Sequence, residues 1–142
     1  VLPYEYWFYL IYTSVSAKAI FKGNIMLIDI KKRLENIDLD IRTITAEQAV
    51  SEQKNNGGTL IDVREAAEVS KEPVPCALHI PRGVLEMKAL EHFSDASTPL
   101  YIHCASGVRA TLAAEQLLKM GYENVSVITC SVPTINQAST ND

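Results

Sequence analysis

The sequence lacks most features that cross-link a chain or drive it onto a charged partner. Its three cysteines, Cys76, Cys104 and Cys130, are an odd number, with no Cys-x-x-Cys pair and no histidine at zinc-finger spacing. That disfavours both a disulfide scaffold and a structural metal site, and it leaves at least one thiol free. Thirteen basic residues face seventeen acidic ones, and the net charge of −4 comes with no basic cluster. Nothing electrostatic therefore points to nucleic acid or to an anionic membrane. No apolar run approaches the ~20 residues that a spanning helix needs, so stable membrane insertion is not expected. There are no internal repeats and no low-complexity tracts.

What is present is a chain of 142 residues, 47% hydrophobic, which suffices for one core of useful size. Residues 1–25 stand apart, because "VLPYEYWFYLIYTSVSA" gathers aromatic and aliphatic side chains around a single charge, Glu5. This segment reads as an apolar extension, either a leader or residues added to the domain. Its apolar stretch is short and lacks a basic flank, although Val15-Ser16-Ala17 resembles a cleavage site. Met26 is then the natural start. A cytoplasmic location is expected, with a periplasmic or exported one as the alternative if the segment acts as a leader.

Residues 26–43 read as a helical lead-in, with Leu27, Ile30, Leu34, Ile37 and Ile41 at three- and four-residue spacing. Thr45 and Gln48 form a capping-box pattern ahead of a helix that stops at Asn56-Gly57-Gly58. Short β-branched runs, "TLIDV", "ALHI", "LYIHC" and "NVSVIT", then alternate with helical patterns, the last of which runs from Ala110 to Met120 before Gly121. The alternation predicts an α/β domain over 44–129, a five-stranded, mainly parallel sheet with helices on both faces, since parallel neighbours need crossover connections. Residues 130–142 read as a polar tail.

Ligands of such sheets bind beyond the carboxyl ends of the strands, and Cys104 ends "LYIHC" immediately before a helix. A free thiol is mostly protonated near neutrality because its reference pKa is ~8.5, so nucleophilic chemistry there needs help. The loop of Ala105, Ser106, Gly107 and Val108 can aim several amides and a helix N-terminus at the sulfur, and Arg109 adds a permanent positive charge. Gly107 supplies the freedom a tight loop around one atom requires. An isolated strand-end cysteine is often only a small hydrophobe. The strand, Gly107, Arg109 and the helix in register are what favour chemistry over packing. His103 faces away from Cys104 by strand alternation and reads as support behind the loop, by packing or a hydrogen bond. His79 and His92 have no partner legible in the sequence.

Taken together and in order, "GTLIDVREAAEV", "ALHIPRGVLE", "YIHCASGVRA" and "LLKMGYENV" resemble the rhodanese-like sulfurtransferase domain. The resemblance implies that Cys104 takes a sulfane sulfur from a donor such as thiosulfate or polysulfide and carries it as a persulfide cradled by the amides of residues 105–109. The outer sulfur then passes to cyanide or a thiol, with glutathione and thioredoxin among the acceptors, and no cofactor is implied. Asp62 and Arg64 match the family's Asp-x-Arg, and with Glu68 they are expected to form a salt-bridged framework. Arg82 in "HIPRG" is expected either to line the entrance for an anionic donor or to be a solvated surface arginine. The chain departs from the family pattern at Cys76, which replaces a glycine, and after the last strand, where Thr129-Cys130-Ser131 stands for a Gly-Gly pair. Two other functions remain to be weighed. One is a non-catalytic interaction module on the same fold. The other is a cysteine phosphatase, which places five residues between cysteine and arginine, where Cys104 and Arg109 have four.

Overall fold

The computed structural model describes residues 27–140. The apolar extension of 1–25 and Met26 lie outside the described residues. Five strands form one sheet: β1 (Arg42–Ile44), β2 (Thr59–Asp62), β3 (Leu78–His79), β4 (Leu100–His103) and β5 (Val125–Ile128), in the order β1-β5-β4-β2-β3. Every pairing is parallel. The helices are α1 (Ile30–Glu35), α2 (Ala46–Asn56), α3 (Ala66–Lys71), α4 (Leu85–His92), α5 (Val108–Lys119) and α6 (Val132–Thr140), and a short 3-10 turn at Arg82–Val84 precedes α4.

The two faces of the sheet carry separate cores. On one, Ile61, Leu100 and Ile102 pack against Leu85 and Ala89 of α4 and Ala113 and Leu117 of α5. On the other, Leu60, Tyr101 and Ile128 meet Ala46 and Ala49 of α2 and Val132 and Ile135 of α6. This double burial is why β4 and β5 read as continuous apolar runs rather than alternating ones. It also places Cys104 at the carboxyl end of a central strand held on both sides.

Three sequence expectations need correction. The lead-in helix is a single short piece, because Asp29 Oδ1 accepts the Lys32 amide at 2.8 Å to start it and Asn36 ends it. Its stripe never forms one packed face: Leu27 and Ile30 are exposed, and an Arg33–Glu115 ion pair fastens α1 to α5. The fifth strand, "RTI", was hidden by its length of three residues. The tail of 130–142 is not loose, since 132–140 form α6, which buries Val132 and Ile135 on α2. Asn136 Nδ2 also donates to the Pro73 carbonyl at 2.9 Å, so the helix closes the side where the Gly-Gly pair is missing.

One glycine in the frame has no room for a side chain. A Cβ at Gly58 would lie 2.7 Å from Tyr101 Cε2 and 2.8 Å from the Pro99 carbonyl oxygen. Gly58→Ala is therefore expected to cost about 1–3 kcal/mol through forced backbone movement, measurable by urea denaturation. A variant as stable as the parent would show that the β2 lead-in can shift freely.

Candidate active site

Cys104 follows β4 directly, and its residue is only 1% exposed beneath the exposed Ala105 and Ser106. The sequence reading expects an accessible thiol in an exposed loop, and the structure instead sets the sulfur under the crest of that loop. The loop turns back through Gly107, whose φ of +90° belongs to the left-handed region. That turn brings the Gly107 N–H to the Cys104 Sγ at 3.1 Å. Several amides were expected at the sulfur; among the described residues, Gly107 supplies the one that closes a hydrogen bond. Thr111 then fixes the first turn of α5, donating both its amide and its hydroxyl to the Gly107 carbonyl at 2.9 and 2.8 Å. Thr129, just past β5, lies against Gly107 from the other side, a contact that nothing in the sequence signals.

Arg109 stands in the first turn of α5, half-buried, and its guanidinium is held by Glu68 of α3 through bonds of 2.6 and 2.8 Å. The carboxylate makes the arginine still harder to deprotonate, and Cys104 contributes in the same direction to a lesser degree. In return Arg109, followed by the Glu65 amide, lowers the Glu68 carboxyl to about 2. Its sign is that of a stabilised carboxylate: the tie is intact above the ordinary value of 4.5 and is lost as the pH falls toward 2. An NMR titration of the Glu68 carboxyl is expected to give a midpoint near 2, rising in Arg109→Gln toward but not fully to 4.5 because the Glu65 amide remains. An unchanged midpoint in the variant would mean that the pair does not form in solution.

Behind the loop lies a buried polar group. Arg64 Nε reaches both oxygens of Asp62 at 3.0 and 3.1 Å, and its Nη2 bonds Oδ2 at 2.7 Å and the Glu72 carbonyl at 2.9 Å. Burial works against the Asp62 charge, yet the bonds from Arg64 and the neighbouring charges prevail, and the carboxyl lies below its usual range. His79, for which the sequence showed no partner, places Nε2 2.8 Å from the Arg64 carbonyl. The strand end, the start of α3 and β3 are thereby joined. Arg82 sits apart from this group: Nη1 binds both Glu86 oxygens at 3.1 and 3.0 Å, and its amide donates to the Val63 carbonyl.

The other two thiols have different surroundings. Cys130 Sγ accepts the Ala46 amide at 3.3 Å on the α2–α6 side, whereas Cys104 belongs to the α4–α5 core. Cys76 is exposed, with Sγ 3.1 Å from Ser139 Oγ. Among the described residues, no group of three or more His, Cys, Asp or Glu is placed to hold a metal. Nor is any helix there long and apolar enough to cross a membrane.

The profile of the rhodanese-like domain matches residues 45–138, from the cap of α2 into α6. This chain belongs to the rhodanese-like sulfurtransferase family. Its rhodanese domain is 32% identical over 103 residues to the mitochondrial thiosulfate sulfurtransferase RDL2 of Saccharomyces cerevisiae, covering 65% of this chain and 69% of that protein. It is 38% identical over 66 residues to the sulfur carrier protein YrkF of Bacillus subtilis, described as putative by name, but spans only 35% of it and uses 46% of this chain. Among solved structures, the polysulfide-sulfur transferase homodimer of Wolinella succinogenes superposes with a TM-score of 0.60 at 26% identity, over 73% of this chain and 79% of that one.

The buried placement of Cys104 in this rhodanese domain has a direct consequence. A bulky maleimide is expected to label Cys76 first and Cys104 slowest, while a small alkylating agent reaches all three. Peptide mapping checks the order, and bulky labelling of Cys104 as fast as Cys76 would contradict the position of the loop.

Proposed function

We propose that this domain transfers sulfane sulfur through Cys104. The observation that carries the reading is the Cys104 sulfur at the end of a central strand, bonded by the Gly107 amide at the head of a 12-residue helix that has Arg109 in its first turn. In the first half-reaction the Cys104 thiolate attacks the outer sulfur of thiosulfate. The Cys–S bond to that sulfur forms, the donor's S–S bond breaks, and sulfite leaves with the electron pair. In the second, cyanide or a thiolate attacks the outer sulfur and the Cys104 thiolate leaves, giving thiocyanate or an acceptor persulfide. A second sulfur extends beyond Sγ toward the amides of Ala105, Ser106, Val108 and Arg109, which is the work those groups have in this reading.

Asp62 and Arg64 act as framework, and Glu68 holds Arg109 over the first turn of α5. Arg82 is proposed to meet the anionic donor at the approach to the loop, where Glu86 restrains it. Polysulfide fits the same step as donor, with a shorter polysulfide leaving. Glutathione and a thioredoxin-like dithiol fit as acceptors because the attacking group need only be a thiolate.

The ring from Cys104 to Arg109 encloses four residues, one fewer than a cysteine phosphatase uses to surround the three peripheral oxygens of a phosphate, and this favours sulfur over phosphate. Parallel assays of the full chain test the choice. Thiocyanate production from thiosulfate and cyanide with ping-pong kinetics is expected, and no release of phosphate from an aryl phosphate. Phosphate release without sulfur transfer would reverse the assignment, and neither activity would favour a non-catalytic module.

A further inference from the structure

The mechanism leaves one buried titratable group unused. His103 is fully buried, and neither Nδ1 nor Nε2 has a hydrogen-bond partner. Two groups nevertheless stand close. Its Nε2 lies 3.7 Å from Asp62 Oδ2, too far for a hydrogen bond. The backbone of Cys104 favours a proton on the ring, which an accepting carbonyl does and a donating amide does not. The placement follows from the sheet: Asp62 and His103 are register partners across β2 and β4, and the next residue in the chain is Cys104.

We propose that His103 is a positioning residue for the sulfur-binding loop: its imidazole, lodged between the Asp62 carboxylate and the Cys104 backbone, sets the strand-end peptide from which the loop hangs, and its protonation displaces that peptide. The direction of movement follows from which end is fixed. Asp62 is clamped by Arg64 Nε, Nη2 and amide, and Arg64 is itself tied to Glu72. A charged imidazole makes a bond of about 2.8 Å to a carboxylate, so the gap closes by about 1 Å, and the unclamped ring is the end that moves. The ring carries its own backbone with it, and that backbone continues into Cys104.

Among the described residues, the charged groups acting on the ring are Asp62, which favours a proton, and Arg64, which opposes it. Its β5 register partner is Ile128, and α6, on the Tyr101 side of the sheet, has no ionisable side chain. Burial outweighs the attractions and keeps the imidazole neutral below its ordinary value of 6.5. The unfolded chain takes up this proton first, so the fold loses stability as the pH falls below 6.5 toward the depressed midpoint.

The consequence for sulfur loading rests on the sulfurtransferase reading, so the test has one arm that needs no sulfur chemistry. In Cys104→Ser, where no thiol titrates at the site, NMR follows the His103 imidazole and the Gly107 amide against pH. The Gly107 amide is expected to shift with the His103 midpoint, below about 6.5. A His103 titration that leaves Gly107 unmoved overturns the proposal. In the second arm, thiosulfate loading of the full chain is compared with His103→Gln and His103→Asn, whose amides cannot charge. At the acid end the parent is expected to slow by about a hundredfold per pH unit, two protons being involved, and the variants by about tenfold, the thiol alone remaining. Equal slopes overturn the proposal. A parent that never loads condemns the sulfurtransferase reading instead, while the Gly107 shift still decides the role of His103.

Discussion

Cys104→Ser is expected to bring sulfur transfer from thiosulfate down to the uncatalysed background, because a hydroxyl in that place forms no persulfide. Cys76→Ser and Cys130→Ser are expected to keep most of the parent rate. The structure gives the reason for the asymmetry. Cys104 alone has a glycine-turned loop and a long helix behind its sulfur, with Gly107 bonded to Sγ at 3.1 Å. Cys130 also accepts a helix-terminal amide, from Ala46, but on the opposite side of the sheet from the core that holds Cys104. It therefore is not placed to resolve a persulfide on Cys104 as a disulfide. If Cys130→Ser traps sulfur on the enzyme and stops turnover, the single-thiol shuttle is wrong. Steady-state thiocyanate formation by the three variants, with thermal melts to confirm folding, makes the comparison.

The second large effect is on stability rather than chemistry. Arg64 and Asp62 are 2% exposed each, and Asp62→Ala leaves the guanidinium buried without its carboxylate. Breaking such a pair costs about 3–5 kcal/mol, which for a domain of this size lowers the melting temperature by about 10–30 °C. The double variant Asp62→Leu, Arg64→Met removes both charges and is expected to recover much of that loss. The recovery separates a buried pair from a packing defect: if the double variant is as unstable as the sum of the singles, shape rather than charge holds this corner. Activity should follow the same order, since Arg64 ties the strand end to the segment carrying Glu68, and Glu68 holds Arg109.

The sequence made the centre of the fold and the cup around Cys104 legible, and for the same reason. Leu100 to His103 and Val125 to Ile128 are covered on both faces, so their composition is uniform and recognisable. The turn at Gly107 and the helix after it are local, encoded within a few residues of the cysteine. What stayed hidden depends on contacts distant in the chain. Glu68 and Arg109 are 41 positions apart, and no spacing rule pairs them. The sequence of α6, "VPTINQAST", has few strong helix formers, and it is helical because Val132 and Ile135, three apart, bury one face on α2. The burial of Cys104 itself was also unreadable, because it depends on how far the loop crest folds over the strand end.

The central claim is that one sulfur atom rests on Cys104 between the two half-reactions. Brief exposure of the full chain to thiosulfate, followed by mass spectrometry of the intact protein and of its peptides under non-reducing conditions, tests it most directly. The account predicts a single added sulfur, found on the peptide containing Cys104, removed by cyanide, and absent from the peptides of Cys76 and Cys130. Added sulfur on Cys76 or Cys130 with none on Cys104 would contradict it.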